Sequence, residues 1–176
     1  MAPAPTVHRG RCYCGAVAVR ASGTPQVVAY CHCADCRRWT GAPVAAFAAF
    51  SEGRVSIDPA PASITTPAGV ERWFCGLCGS ALAARFPYLP GQIYVPLGLL
   101  DTAAALAPEL HAHADAALPW LRLADDLPRS VGSARAALGE AGGRNGDPAD
   151  DPMDDAIDGA MGGAMGGATD GAVGDA

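Results

Sequence analysis

The chain has 176 residues and a net charge of −6, and all of its 12 basic side chains are arginine. Residues 1–140 carry 11 arginines against 10 acidic residues, whereas residues 141–176 carry one arginine against eight aspartates. The body is therefore close to neutral and has no concentrated basic stripe, so nucleic acid is not an expected partner. No apolar run is long enough to cross a bilayer, so a membrane protein is not expected either.

The strand-like runs are short and rich in Val, Phe, Tyr and Ile, and Gly, Pro, Ser and Asp separate them. This pattern predicts a mainly antiparallel β fold. In chain order, the predicted strands are residues 16–20, 27–31, 44–50, 54–57, 63–66, 70–75, 81–86 and 92–97. Helical turns are predicted at residues 35–40, where Gly41 and Pro43 stop the helix, and at residues 103–106. No βαβ alternation is present, so a doubly wound parallel sheet is not expected.

Composition divides the chain into three parts. Residues 7–128 are predicted to form one domain, and residues 129–141 a linker or weak helix. Residues 142–176 are rich in Gly, Ala and Asp and are predicted to be disordered, because such residues bury too little apolar surface to offset the entropy of ordering. A partner-binding acidic segment is the alternative, and the lack of aromatic anchors in the tail disfavours it.

The first eight residues lack the apolar stretch of a secretory signal, which predicts a cytoplasmic protein. Disulfides are rare in that reducing compartment. The seven cysteines are therefore expected to be metal ligands or redox groups rather than crosslinks.

The cysteines fall into three clusters, whose spacing is Cys12-x-Cys14, Cys31-x-Cys33-x2-Cys36 and Cys75-x2-Cys78. Thiolates this close together suit a soft tetrahedral cation such as zinc. Two pairs can close one site of four sulfurs. The remaining trio can hold a second metal and leave one coordination position open, as a site that does chemistry requires.

The expected closed site consists of Cys12, Cys14, Cys75 and Cys78. A glycine follows the second cysteine of each pair, namely Gly15 and Gly79. Glycine allows a sharp turn through positive φ, and the backbone N–H groups can then point at the sulfurs. The alternatives are buried apolar cysteines or a disulfide, which the paired spacing and the flanking glycines disfavour.

The expected open site is the trio Cys31, Cys33 and Cys36. The first two can lie at a strand end and face the same side, with Cys36 returning on a turn. Arg37 and Arg38 follow at once, and two guanidinium groups favour thiolates and can bind a substrate carboxylate. For Arg38 a surface role is an equal alternative.

Three further residues near the trio, Trp39, Asp35 and His32, have two alternative roles each. Trp39 either lines the binding pocket or belongs to the core. Asp35 either relays a proton or caps the following turn. His32 should point away from the cysteines and is expected to be packed or solvent-facing, and a fourth ligand from the His111/His113 segment stays open. A redox role for Cys33 and Cys36 would need a thioredoxin-like βαβ context.

The clusters, in this order, resemble the glutathione-dependent formaldehyde-activating enzyme family, also called the CENP-V/GFA domain. The similar segments are Gly10-Arg-Cys-Tyr-Cys-Gly-Ala-Val, Cys31-His-Cys-x2-Cys-Arg-Arg-x2-Gly-Ala-Pro, residues 47–50, Phe74-Cys-x2-Cys-Gly-Ser80, Val95-Pro-Leu-Gly-Leu-Leu-Asp101 and Leu118-Pro-Trp-Leu-x-Leu. About residues 7–128 are covered, and the tail is not.

The resemblance implies an antiparallel β-tent fold built around zinc. It implies a structural zinc on Cys12, Cys14, Cys75 and Cys78 and a catalytic zinc on Cys31, Cys33 and Cys36. The implied activity is that of a carbon–sulfur lyase acting on an adduct of a small thiol and an aldehyde, such as S-hydroxymethylglutathione. Arg37 is the candidate anchor for a carboxylate of the thiol. The alternative is a zinc-stabilised binding module without catalysis, which would have no need of an open coordination position.

Overall fold

The computed structural model describes residues 6–135. Within that range the chain folds into two β-sheets with one α-helix and several 3-10 turns. The predicted disordered tail and the end of the predicted linker lie outside the described residues.

The strands are β1 (Val7–Arg11), β2 (Ala18–Ser22), β3 (Val27–Cys31), β4 (Ala45–Ser51), β5 (Val55–Asp58), β6 (Ala62–Thr65), β7 (Glu71–Phe74), β8 (Ala81–Arg85), β9 (Gln92–Pro96) and β10 (Leu110–Ala112). The helix is α1 (Ala34–Thr40), which ends at Gly41 in the left-handed conformation, φ 69°. The 3-10 turns are Glu52–Arg54, Leu97–Leu99, Ala103–Ala105 and Ala114–Ala116.

The smaller sheet has the strand order β1-β2-β5, and the larger has the order β10-β3-β4-β9-β8-β7-β6. All neighbouring strands are antiparallel except β10, which runs parallel to β3 over three residues. The prediction of a mainly antiparallel β fold is confirmed, and each predicted strand corresponds to an observed one within about two residues. None of the helices in the described part of the chain is long and apolar enough to span a membrane.

Strand β4 lies inside the larger sheet and is buried on both faces. Phe47 and Ala49 pack into one hydrophobic core, and Ala48 and Phe50 pack into a second core on the other face. This explains why β4 reads as a continuous apolar run rather than as an alternating one. Each core also receives one of the cysteine clusters, so the two clusters lie on opposite sides of the larger sheet.

The packed structure continues beyond residue 128, where the predicted domain ends. The backbone N–H of Ser130 donates to His111 O at 2.8 Å, and the N–H of His113 donates to Gly132 O at 2.9 Å. Ala134 is 5% exposed and belongs to the same core as the trio of cysteines. The segment after β10 therefore packs against one end of that core.

Candidate metal centres and adjoining cavity

The four cysteines of the expected closed site come together. Their sulfurs lie within 4.8 Å of one another. Cys12 Sγ is 3.5 Å from Cys14 Sγ, and Cys14 Sγ is 3.8 Å from Cys75 Sγ. Sulfurs at the corners of a tetrahedron around zinc, each about 2.3 Å from the ion, are roughly 3.8 Å apart. All four cysteines are free thiols, so the donor set and its spacing fit a tetrahedral metal ion.

Two tight turns from different sheets build this cluster. Cys12 and Cys14 follow β1 of the smaller sheet, whereas Cys75 and Cys78 lie between β7 and β8 of the larger one. Gly15 has φ 79° and Gly79 has φ 73°, as the sequence predicted. A metal at this site would join the two sheets.

Hydrogen bonds surround the sulfurs of this cluster. The backbone N–H of Val17 donates to Cys12 Sγ at 3.3 Å. The Ser80 hydroxyl lies 3.2 Å from Cys78 Sγ and accepts from the backbone N–H of Tyr13 at 3.0 Å. The contact with Ser80 lowers the pKa of the Cys78 thiol to about 5. No role for Ser80 was predicted from the sequence. Its position directly after Cys78 and Gly79 could have indicated a contact with the cysteine sulfur.

The trio of Cys31, Cys33 and Cys36 also comes together, with its sulfurs within 4.8 Å of one another. Cys31 is the last residue of β3, and Cys33 caps the N-terminus of α1 by accepting a hydrogen bond from Cys36 N at 3.3 Å. The distance between Cys31 Sγ and Cys33 Sγ is 3.4 Å. Within residues 6–135, no fourth Cys, His, Asp or Glu ligand joins this group. The donor set therefore fits a metal with one position left open.

The pKa values of the three thiols indicate that this cluster favours a bound cation. Hydrogen bonds with Cys31 and Cys36 lower the pKa of the Cys33 thiol to about 2. The same crowding raises the pKa of Cys31 to about 12 and that of Cys36 well above the ordinary value. One thiolate is thus stabilised by two thiols that resist ionisation. Three thiolates in this space require a positive charge between them.

A cavity of about 410 Å³, counting its opening to solvent, adjoins the trio. Its walls are mostly aromatic and aliphatic, with Phe47, Phe86, Leu89 and Tyr94 each at most 5% exposed. The Tyr94 hydroxyl donates to Gln92 Oε1 at 2.8 Å. A mostly apolar lining with a few polar groups is typical of a small-molecule site.

Two polar side chains of the cavity wall, those of His113 and Ser133, were not predicted as part of the site. His113 has φ 51°, a left-handed conformation that is uncommon for a non-glycine residue. Backbone strain of this kind clusters at functional sites. The alternation of His111 and His113 was the only signal in the sequence, and it could not show which of the two faces the cavity.

His111 and His32 lie in a buried chain of hydrogen bonds instead. His32 Nε2 is 2.8 Å from His111 Nδ1, and His111 Nε2 is 3.1 Å from both carboxylate oxygens of Asp125. His32 is 5% exposed, so it is packed, one of the two positions expected for it. This chain joins the loop between Cys31 and Cys33 to the segment after β10.

The predicted anchors Arg37, Arg38 and Trp39 are not among the residues that line the cavity. Arg37 donates to the backbone carbonyls of His32 and Ala116, the latter at 2.6 Å. A substrate carboxylate that binds this guanidinium would have to share it with these two carbonyl oxygens. Arg38 is exposed. Trp39 stacks on Phe47 with 6.1 Å between ring centroids, which places it behind the cavity wall.

Asp35 accepts a hydrogen bond from the buried guanidinium of Arg72 in an ion pair. The cap of α1 is Cys33, so the structure gives Asp35 a partner on β7 in place of a capping role. No local pattern in the sequence indicates this pairing, because Arg72 is 37 residues away along the chain.

Fold and site together define a small β protein with two cysteine clusters, each suited to a metal ion. The sequence model of the glutathione-dependent formaldehyde-activating enzyme family matches residues 7–116. The chain belongs to this family, which confirms the resemblance seen in the sequence.

The chain is also similar to a named protein and to a solved structure. A Schizosaccharomyces pombe protein named as an uncharacterized lyase is 31% identical over 85 residues, which cover 48% of this chain and 61% of the relative. The match thus spans less than two thirds of that relative's length. A crystal structure of a Rhodobacter sphaeroides protein is similar at 21% identity with a TM-score of 0.43, covering 53% of this chain and 87% of the other.

Proposed function

We propose that this protein is a zinc-dependent carbon–sulfur lyase of the GFA type. Its substrate class is the adduct of a small thiol, such as glutathione, with an aldehyde, such as formaldehyde. The observation that carries the proposal is a cluster of three sulfurs without a fourth protein ligand among the described residues, which opens onto a cavity. Membership of the family and a relative named as a lyase support this class of reaction.

Each cluster would hold one zinc ion. Cys12, Cys14, Cys75 and Cys78 would form the structural site, and the trio would form the catalytic one. When bound at the trio, zinc supplies an open position at which a thiol loses its proton near neutral pH.

The chain's own residues would orient and enclose the reactants. In the synthetic direction the thiolate sulfur attacks the carbonyl carbon, a C–S bond forms, and the carbonyl oxygen takes up a proton. The reverse reaction breaks that bond and returns the proton. Closely packed walls such as Phe47 and Phe86 would hold the aldehyde against the sulfur. His113 and Ser133 offer hydrogen bonds to its oxygen at the cavity wall.

Arg37 remains the proposed anchor for a carboxylate of the thiol, with Arg38 and Trp39 beside it on α1. This role requires the guanidinium of Arg37 to bind the carboxylate while it keeps at least one of its two backbone carbonyls. Five donors on one guanidinium make such sharing feasible.

The test is the rate of hemithioacetal formation from glutathione and formaldehyde, followed by exchange NMR. We expect the zinc-loaded protein to accelerate the exchange and Cys36→Ser to reduce it to the uncatalysed rate. Circular dichroism of Cys36→Ser would verify that the fold is retained. If the wild-type protein leaves the rate unchanged with every thiol and aldehyde tried, the lyase assignment is wrong and a zinc-stabilised binding module becomes the better reading.

A further inference from the structure

We infer that the natural adduct carries an uncharged apolar substituent next to its C–S bond, and that this substituent fills the cavity beside the trio. The inference rests on the proposed function and narrows its substrate class. It makes the adduct of glutathione with formaldehyde, in which neither partner carries such a group, a poorer substrate than an adduct with an apolar group on the thiol or on the aldehyde.

The enclosed part of the cavity is larger than formaldehyde needs. It measures about 40 Å³, whereas one water-sized molecule, close in size to formaldehyde with its two heavy atoms, needs about 10–15 Å³ on the same measure. Formaldehyde would therefore leave most of the cavity to be filled by something else. Because buried apolar surface stabilises a complex roughly in proportion to its area, a larger substituent would bind more tightly here.

The cavity lining has no arginine to neutralise a buried carboxylate, within the described part of the chain. Arg37, which follows Cys36, lies outside the lining and is bonded to two backbone carbonyls. Arg72 is paired with Asp35. Burying a carboxylate without a cationic partner is costly. The charged ends of a thiol such as glutathione would therefore stay at the mouth, and the interior would take an uncharged group.

The aromatic wall of the cavity is held in place by packing and by a hydrogen bond. Phe86 packs edge-on against Tyr94 with ring centroids 5.1 Å apart, and Tyr94 is held by its bond to Gln92. The Tyr94 hydroxyl is already bonded to Gln92. Apart from the hydroxyls of Tyr88 and Tyr94, the polar side chains of the lining are those of the trio, His113 and Ser133, which match one carbonyl oxygen and one sulfur.

The experiment compares aldehydes on the wild-type zinc protein, with glutathione as the common thiol. The matched pair is 3-methylbutanal and 4-oxobutanoate, which are similar in size and differ in charge, and formaldehyde is the third substrate. Each rate is divided by its uncatalysed rate in exchange NMR. One methylene in an apolar pocket changes specificity by about tenfold or more. If the apolar group is on the aldehyde, we therefore expect the acceleration of 3-methylbutanal to exceed that of the other two by at least about tenfold.

A second arm locates the substituent. Formaldehyde is paired with 2-phenylethanethiol in place of glutathione. A gain of at least about tenfold only in this arm places the apolar group on the thiol, and a gain only with 3-methylbutanal places it on the aldehyde; either result supports the inference. If neither apolar pair is accelerated at least about tenfold more than formaldehyde with glutathione and 4-oxobutanoate with glutathione, the inference is wrong while the lyase assignment stands. If no pair is accelerated, both fail.

A variant ties the preference to this cavity. Ala29 on β3 lines it and is 6% exposed, so Ala29→Leu would occupy part of the space. We expect it to reduce the acceleration of the apolar partner at least about fivefold more than that of formaldehyde. Ala104→Leu adds the same volume at an exposed position on a 3-10 turn. It should leave the ratio of the two accelerations, apolar partner to formaldehyde, unchanged. Equal ratios in the wild type and a folded Ala29→Leu protein would place the apolar site elsewhere and overturn the inference.

Discussion

Arg72 on β7 and Asp35 on α1 form an ion pair whose side chains are 2% and 13% exposed. The Arg72 guanidinium lies 4.4 Å from the centre of the Trp39 ring and 5.1 Å from that of Phe86. Asp35 lies between Cys33 and Cys36 of the trio, and Arg72 lies three residues before Cys75. The pair therefore joins the segments that carry the two cysteine clusters.

Removal of either partner should be costly, because it leaves the other charge buried and unpaired. We expect Arg72→Met and Asp35→Asn each to reduce the free energy of unfolding by about 3–5 kcal/mol. Urea unfolding of the zinc-loaded proteins measures this loss. The double variant should lose clearly less than the sum of the two single losses. Additive losses would show that the two residues do not interact.

The left-handed conformation of Gly79, φ 73°, predicts the effect of a methyl group there. No atom lies within 4 Å of an added Cβ, so the cost of Gly79→Ala comes from the backbone conformation. It should destabilise the protein by about 1–2 kcal/mol.

Gly53 is the matched control for this substitution. An added Cβ there also meets no atom within 4 Å, and its φ is not in the left-handed range. Gly53→Ala should therefore be neutral or slightly stabilising. Thermal unfolding of both variants beside the wild type measures the two effects. If the two variants have the same stability, positive φ does not explain the glycine after Cys78.

Both cysteine clusters could be predicted from the sequence because their geometry is local. Spacings of one or two residues place two sulfurs on the same turn, and the glycine at position 15 or 79 marks where the backbone must take positive φ. The choice of which pairs combine is not local. It followed from the division of seven cysteines into a site of four and a site of three. The two sheets bring Cys12 and Cys75 together, as a four-cysteine site requires.

The cavity could not be predicted, because its residues come from separate strands and loops. Phe47, Phe86 and Ser133 are far apart in the chain, and only the fold shows that they face one space. The position of Arg37 directly after Cys36 could not show where its side chain points, because successive residues on a helix point about 100° apart. Its guanidinium reaches the carbonyl of Ala116.

Strands β1 and β10 were missed for different reasons. β1 reads Val-His-Arg-Gly-Arg and contains one aliphatic residue in five, although it alternates between exposed and buried positions. β10 has three residues, and its parallel pairing with β3 is a tertiary contact that no local pattern indicates.

The metal content should separate the two clusters. We expect two zinc ions per wild-type chain, purified under reducing conditions and measured by elemental analysis. Cys36→Ser should retain about one and remain folded, because the four-sulfur site is intact. Cys75→Ser should be unfolded or aggregated, since that site joins the two sheets. A soluble Cys75→Ser protein with unchanged melting temperature would contradict the structural role.

Asp125 should hold the segment after β10 in place. Its carboxylate accepts from His111 and from Arg129, and from the backbone N–H of Leu127 at 3.2 Å. Asp125→Asn removes the charge while it keeps the shape, so the segment should open more often. Amide hydrogen exchange of residues 126–132 should be about tenfold faster than in the wild type. Asp126→Asn is the matched control, and equal exchange in the two variants would argue against this role for Asp125.

Arg37 can be tested for two roles at once. As a donor to the carbonyls of His32 and Ala116 it contributes to stability. Arg37→Met should therefore reduce the free energy of unfolding by about 2 kcal/mol. Arg38→Met, at an exposed position on the same helix, should change the free energy of unfolding by less than about 0.5 kcal/mol.

As an anchor for a substrate carboxylate, Arg37 should also affect KM. Its loss should then raise KM for glutathione at least about fivefold more than KM for 2-mercaptoethanol, which has no carboxylate. A loss of stability with an equal change in both KM values would assign Arg37 to the fold alone, because an anchoring role requires the thiol with the carboxylate to suffer more.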